Sequence, residues 1–262
     1  MGAISRLTKI LGRNEPIPAK KSENRIRFEG DFETYDAALA ACAGSEGYES
    51  TSAVDRYIRR NAEVTADPAA AIAGATEQVL RFMAAFSLAT PIDGIYQVYD
   101  YGGGYGAIYE LFRHIYPEKR FKWTIIEVPA LVARAAEMGA SDEKIFSTDL
   151  HQGPYSFGIS SGTLQCLPDP IDGLRKMEEA QAQVTMVNRF PILGSLNRDR
   201  LTAQHVPASY FEASFPAWFF AKDWADRMKV LGEPIARWDS PGDTTEIDGE
   251  VIRYQAFLFK AA

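Results

Sequence analysis

From about residue 28 to about residue 90 the apolar positions of this chain recur mainly at helical spacing, and beyond that point runs of two different periods alternate. In the first part "FETYDAALAAC" carries its apolar residues on one face. "DPAAAIAGATEQVLRFMAAF" opens with Asp67 as a helix cap and Pro68 at the first helical position. In the second part "GIYQVYDY" (94–101) predicts a strand and "GAIYELFRHIY" (106–116) a helix. "FKWTIIEV" (121–128) is a strand again, followed by the helix "PALVARAAEMG", with Pro129 at its start. The short strand "KIFST", the strand "SFGISS" (156–161), the helix "DPIDGLRKMEEAQ" and the strand "VTMVNRF" (184–190) continue the series. A parallel sheet covered by helices is encoded in this way.

The last stretch has another texture. A helix "AKDWADRMKVLG" precedes "PIARWDS", a turn-rich "PGDTTEIDGE" and "VIRYQAFLFKA", which predicts an antiparallel hairpin at the sheet edge. One crossing is too short. About seven residues separate the strand ending near Thr148 from the one starting near Ser156, whereas parallel crossovers use about a dozen or more, so the third strand is expected to be rudimentary or irregular. Three segments follow: a basic arm, 1–27, a helical N-terminal extension, 28–90, and a Rossmann-like domain, 91–262.

Composition sharpens the picture in a few places. The net charge of −7 argues against a nucleic-acid partner. The arm runs the other way: seven basic residues against Glu15 and Glu23 make it +5, and Ile4, Leu7, Ile10 and Leu11 have helical spacing. Such an arm suits weak contact with an anionic membrane surface on the cytoplasmic side; a simple basic tail is the plainer alternative. Cys42 and Cys166 are far apart and lack metal-type spacing, so no disulfide framework and no metal site is expected, in keeping with a cytoplasmic protein.

The chemistry concentrates in "VYDYGGGYG", Val98 to Gly106. Strand, glycine turn and helix in that order present backbone N–H groups at the carboxyl edge of the sheet, where open α/β folds bind ligands. Glu127 ends the next strand, at a spacing suited to accepting hydrogen bonds from two ribose hydroxyls. Two cofactors fit. Gly102, Gly104 and Ala107 satisfy the dinucleotide pattern G-x-G-x-x-G/A. S-adenosylmethionine has no pyrophosphate and carries an ammonium group, for which Asp100 before the turn is an acceptor, completing D-x-G-x-G-x-G through Gly106. The closing antiparallel hairpin favours this second reading.

"VYDYGGGYG", "WTIIEVPALV", "SSGTLQCLPDP", "DRLTAQHVP", "ASFPAWFF" and "IDGEVIRYQAFLF", with "FEGDFETYDAALAACAGSEGY" near the start, resemble a family of S-adenosylmethionine-dependent methyltransferases found among bacterial surface-polysaccharide genes. The likeness spans roughly residues 28 to 260. It implies a class I methyltransferase fold, Rossmann-like with a C-terminal antiparallel hairpin and a helical N-terminal extension, but not the acceptor; the leading reading is a methyltransferase of a small hydroxylated acceptor, and a sugar or glycan precursor is suggested only by the gene setting of that family. By position, Asp100, Gly102, Gly104 and Gly106 match the first cofactor motif, Glu127 with the adjoining Val128 the ribose site, and Asp149 with Leu150 the adenine site. Ser160, Ser161 and Gly162 fall below the sulfonium. Gly158 is a departure, since such enzymes commonly have an aspartate there.

Methyl transfer to an alcohol asks for alignment and a proton acceptor. Among the histidines, His114 lies near a helix end and His151 in the tight crossing. His205 follows the fifth strand in "NRDRLTAQHVPASY", where acceptor-binding loops are expected, and is the candidate base. Gln165, Arg189, Arg200 and Gln204 are candidate acceptor-orienting donors. Tyr210 opens an aromatic run through Phe220 that either roofs the pocket or, for the most part, fills the core. Two other readings stay open: a protein that binds S-adenosylmethionine or S-adenosylhomocysteine without turnover, and a nicotinamide-dependent oxidoreductase.

Overall fold

The computed structural model describes residues 25–138 and 140–261. Most of the basic arm, including Ile4, Leu7, Ile10 and Leu11, lies outside the described residues. The chain enters through strand β1 (Arg27–Phe32) and helices α1 (Tyr35–Ala41), α2 (Thr51–Thr65), α3 (Pro68–Gly74) and α4 (Thr76–Phe86). The alternating part follows: β2 (Tyr96–Tyr101), α5 (Ala107–Ile115), β3 (Phe121–Ile126), α6 (Pro129–Met138), β4 (Lys144–Ser147), β5 (Tyr155–Ser161), α7 (Pro170–Glu179) and β6 (Ala182–Pro191). The end comprises β7 (Arg200–Val206), β8 (Ala213–Phe219), a short helix α8 (Trp224–Arg227), β9 (Pro234–Ile247) and β10 (Glu250–Lys260).

Seven strands form the main sheet in the order β4-β3-β2-β5-β6-β10-β9. The first five are mutually parallel, and β10 runs antiparallel to both β6 and β9. This is the expected doubly wound sheet closed by a hairpin. Its order reverses between β2 and β5, where such sheets open a crevice at the carboxyl edge. Apolar side chains pack both faces. Phe86, Phe112, Trp123 and Phe157 anchor one side, and Tyr99, Leu174, Phe190, Phe257 and Phe220 the other. The aromatic run ending at Phe220 is divided: Phe219 and Phe220 are core, with Phe190 and Phe220 stacked at 4.1 Å, whereas Phe211, Phe215 and Trp218 are half-buried and Tyr210 is exposed. No helix among the described residues is long and apolar enough to cross a membrane.

Several expectations hold in detail. Asp67 caps α3 by accepting from the Ala70 N–H at 3.0 Å. The third strand is a four-residue edge, β4. In the hairpin the tight turn is Asp248–Gly249, both at positive φ, as a two-residue primed turn requires. The segment read as turn-rich is therefore mostly strand β9.

Other features depart from the sequence reading. "DPAAAIAGATEQVLRFMAAF" is two helices, broken after Gly74 where Thr76 Oγ1 bonds back to the carbonyls of Ile72 and Ala73. Helix α2 was not anticipated, and the extension begins with a strand. The largest departure is a second sheet of order β1-β7-β8, antiparallel throughout. The segment expected as an acceptor loop, "DRLTAQHVP", is thus strand β7. Arg200, Thr202 and Gln204 share one face while His205 lies on the other, and the partner β1 comes from the other end of the chain, beyond the reach of any local pattern.

Candidate functional site

The glycine turn is built on the last residues of β2. Gly102 N–H donates to the Ile126 carbonyl at 2.8 Å, keeping the turn against β3. A Cβ at Gly103 would lie 2.3 Å from Asp100 Cγ, so the backbone folds directly over that carboxylate. Gly104 has φ +60, and a Cβ there would lie 2.0 Å from the Tyr57 hydroxyl. Helix α5 begins at once after Gly106 and points its free N–H groups at the same crevice.

Asp100 is fully buried, and neither carboxylate oxygen has a hydrogen-bond partner among the described residues. Burial pushes its pKa up to about 7; the neighbouring Trp123 indole pulls the other way, and the negative charge of Glu127 adds to the rise. Buried carboxylates are normally partnered; the neighbouring Trp123 Nε1 is likewise buried without a hydrogen-bond partner among the described residues, so the carboxylate keeps acceptor positions for a further donor. Glu127 sits across the turn, just past β3. Its Oε1 accepts from Gly104 N–H at 3.0 Å and from the Tyr48 hydroxyl at 3.2 Å, and its Oε2 from Val128 N–H at 3.0 Å. Burial raises the Glu127 pKa, against these three bonds, which lower it.

The ends of β5 and β6 close the crevice. Ser160 is buried with an unpartnered hydroxyl, and Ser161 Oγ accepts from Asn188 Nδ2 at 2.9 Å. Gly162 turns the chain at φ +74, and its N–H donates to the Asn188 carbonyl at 2.9 Å. Gln165 is buried on the short 3-10 turn Leu164–Cys166 with Oε1 unpartnered. Arg189 stands at the end of β6 in a left-handed conformation, φ 54. Its guanidinium donates to Asp243 at 2.7 and 3.3 Å and lies 5.0 Å from the Tyr254 ring centre. Gly158 has a simple reason. A Cβ there would meet the Tyr99 ring at 2.1 Å, so an aspartate has no room.

Asp100, the three motif glycines, Glu127, Val128, Ser160, Ser161, Gly162, Gln165 and Arg189 are thus brought to one sheet edge. Asp149 and Leu150 follow β4 at that edge. Asp149 is exposed and accepts from the Thr148 hydroxyl at 3.0 Å, while Leu150 packs into the core.

Of the expected acceptor-side residues, Arg200, Tyr210 and His205 are placed differently and Gln204 is not. Arg200 is a structural pin: its guanidinium donates to the Gly30 carbonyl at 3.0 and 2.9 Å and to Asp248 at 2.6 Å, joining β1 to the hairpin turn. Tyr210 is exposed in the connection between β7 and β8. Gln204 is buried in β7, on the face it shares with Phe215 of β8. That face is the one toward the crevice, since Phe215 packs on Tyr48, which bonds Glu127. His205, one residue on, therefore projects from the opposite face. There its Nδ1 is 2.9 Å from Ser214 Oγ and its Nε2 3.8 Å from a Glu29 carboxylate oxygen. The strand that replaced the expected loop carries this histidine away from the glycine turn.

The reading from sequence missed Tyr48, Tyr57, Asn188, Asp243 and Tyr254. Asn188 and Tyr254 sit inside strands whose pattern was recognised; nothing local marks the others as neighbours of Glu127 and Arg189.

No protein-family model and no curated protein sequence matches the chain. Among solved structures, a candidate sarcosine dimethylglycine methyltransferase from Galdieria sulphuraria aligns at TM-score 0.47 and 11% identity over 72% of this chain and 86% of that one. The glycopeptide N-methyltransferase MtfA, complexed with S-adenosyl-L-methionine, aligns at TM-score 0.44 and 14% identity over 72% and 93%. LepI in complex with the same compound aligns at TM-score 0.44 and 12% identity over 64% of this chain, which spans 43% of the LepI chain.

Proposed function

We propose that this chain is an S-adenosylmethionine-dependent methyltransferase acting on a small hydroxylated acceptor. The observation that carries the reading is Asp100: a fully buried carboxylate with both oxygens unpartnered among the described residues, over which a glycine folds at a distance that leaves no room for a Cβ. Such a group calls for a cationic donor. A dinucleotide would instead bring its pyrophosphate to the turn beside two carboxylates, a repulsive arrangement. In this reading Asp100 accepts hydrogen bonds from the ammonium group, directly or through water, and Glu127 from the ribose hydroxyls. Asp149 and Leu150 flank adenine. The bound cofactor supplies a methyl group on a positively charged sulfur.

On the acceptor side Gln165, Asn188 and Arg189 orient hydroxyl groups, through two unpartnered carbonyl oxygens and the donors that Arg189 keeps beyond Asp243. The sugar or glycan character of the acceptor rests only on the gene setting of the family that the sequence resembles. With His205 on the far face of β7, rate acceleration comes from alignment of donor and acceptor, with proton loss to water. The same observation favours a second reading, in which the chain binds the cofactor without turnover.

Calorimetry on the purified protein tests the first reading. S-adenosylhomocysteine is expected to bind with a Kd in roughly the micromolar range, and Glu127→Gln to weaken it by about tenfold. Binding of NADH with no binding of S-adenosylhomocysteine would overturn the assignment. Methyl transfer from labelled donor to candidate sugars then separates the catalytic from the non-catalytic reading.

A further inference from the structure

Glu127 has a lone-pair count that bears on how a cofactor enters. A carboxylate offers about four acceptor positions, two on each oxygen. Oε1 already takes Gly104 N–H and the Tyr48 hydroxyl, and Oε2 takes Val128 N–H. One position is left, whereas a ribose gripped through both hydroxyls needs two. The backbone donors are fixed by the fold. The Tyr48 hydroxyl is the bond that can be given up.

Tyr57 obstructs the neighbouring position. Its hydroxyl lies against Gly104 so closely that the glycine's absent side chain is replaced by this oxygen. Tyr48 and Tyr57 meet edge to face at 5.9 Å, and both pack on Phe211, at 6.0 and 5.2 Å. Tyr48 also meets Phe215 at 5.7 Å. Arg56, adjoining Tyr57, donates to the carbonyls of Phe211 and Glu212 at 3.0 and 3.1 Å. The tyrosines are thus packed as one cluster with the connection between β7 and β8.

We propose that Tyr48 and Tyr57 gate the cofactor site, the Tyr48 hydroxyl standing in for a ribose hydroxyl on Glu127 and the Tyr57 hydroxyl covering the glycine turn. Admission of the nucleoside exchanges one hydroxyl for another on Glu127 and swings both rings out, together with Phe211. Binding is therefore slower and weaker than the pocket alone would give, because the closed arrangement must first open. The proposal rests on the cofactor reading above.

The test uses the full chain and S-adenosylhomocysteine, with Tyr48→Phe and Tyr57→Phe as variants that keep the rings and their packing. Tyr48→Phe removes a bond made only in the closed state, so the Kd should tighten by about fivefold, the equivalent of one ordinary hydrogen bond. In stopped-flow mixing the wild-type association rate should level off as ligand concentration rises, at the opening rate, and Tyr57→Phe should raise that plateau. An unchanged or weaker Kd for Tyr48→Phe together with a rate that stays linear in wild type would overturn the gate and leave the cofactor reading standing. If one variant fails to fold, the other decides. Absence of binding in wild type and in both variants would overturn the cofactor reading itself, and the gate with it.

Discussion

Asp100→Asn should stabilise the ligand-free protein above neutral pH while damaging cofactor binding. Burial raises the Asp100 pKa from an ordinary 3.8 to about 7. Between those two values the folded state holds a proton that the unfolded state has released, so stability falls as pH rises, and the full cost is present above the folded pKa. At about 1.4 kcal/mol per pH unit, a gap of about three units bounds the cost near 4 kcal/mol. Asparagine is isosteric and neutral at every pH, but its buried amide is also unpartnered, a cost of about 1–3 kcal/mol that offsets part of the gain. The expected net gain at pH 8 is about 1–3 kcal/mol, shrinking as pH falls to 5, where the wild-type carboxyl is protonated. Urea unfolding of both proteins at pH 5, 6, 7 and 8 measures it. A stability difference that does not change with pH would refute the reasoning, since it would mean that the carboxylate is solvated or partnered in the folded state. The same logic reaches the ligand. A bound ammonium group favours the ionised carboxylate, so calorimetry near pH 6.5 in buffers of different ionisation enthalpy should detect proton release on binding of S-adenosylhomocysteine.

Three further outcomes are expected. Gly103→Ala places a methyl group 2.3 Å from the Asp100 carboxylate, and should lower the unfolding free energy by about 1–3 kcal/mol and abolish detectable ligand binding by calorimetry. His205→Ala loses the contact with Ser214 on the face of the second sheet opposite Gln204 and Phe215 and should cost about 1 kcal/mol in urea unfolding; a loss of S-adenosylhomocysteine affinity beyond about threefold would count against that placement. Deleting residues 1–24 removes most of the basic arm and should diminish co-sedimentation with anionic vesicles at low salt without changing ligand affinity, in keeping with the proposal of peripheral membrane contact.

The alternation of strand and helix from residue 94 onward could be read from the chain because each element there is local and buries its own apolar face. For the same reason Asp100, the glycine turn and Glu127 were legible: a strand, its turn and the next strand end lie within one βαβ unit, and parallel pairing brings their carboxyl ends to a common edge. The closing hairpin was legible from "PIARWDS" and "VIRYQAFLFKA" on either side of a turn-rich segment, although most of that segment is strand β9 and the turn itself is only Asp248–Gly249.

What the chain did not reveal depends on contacts between segments far apart in sequence. Strand β1 pairs with β7, and that pairing turned an expected loop into a strand. Once β7 is a strand, side chains alternate in face, and Gln204 goes toward the crevice while His205 goes away from it. A residue type and its place in the order of elements suggested a base; a single step along the backbone sets its side chain on the face opposite Gln204, beside Ser214 and Glu29. Tyr48 and Tyr57 lie outside the sheet and reach Glu127 and Gly104 only because α2 and its preceding loop pack over the carboxyl edge. Burial decided the charge state of Asp100 in the same way. An aspartate before a glycine turn is visible in any sequence, but its raised pKa comes from the three-dimensional exclusion of water, opposed by the Trp123 indole and increased by the charge of Glu127, and none of these is a property of the local chain.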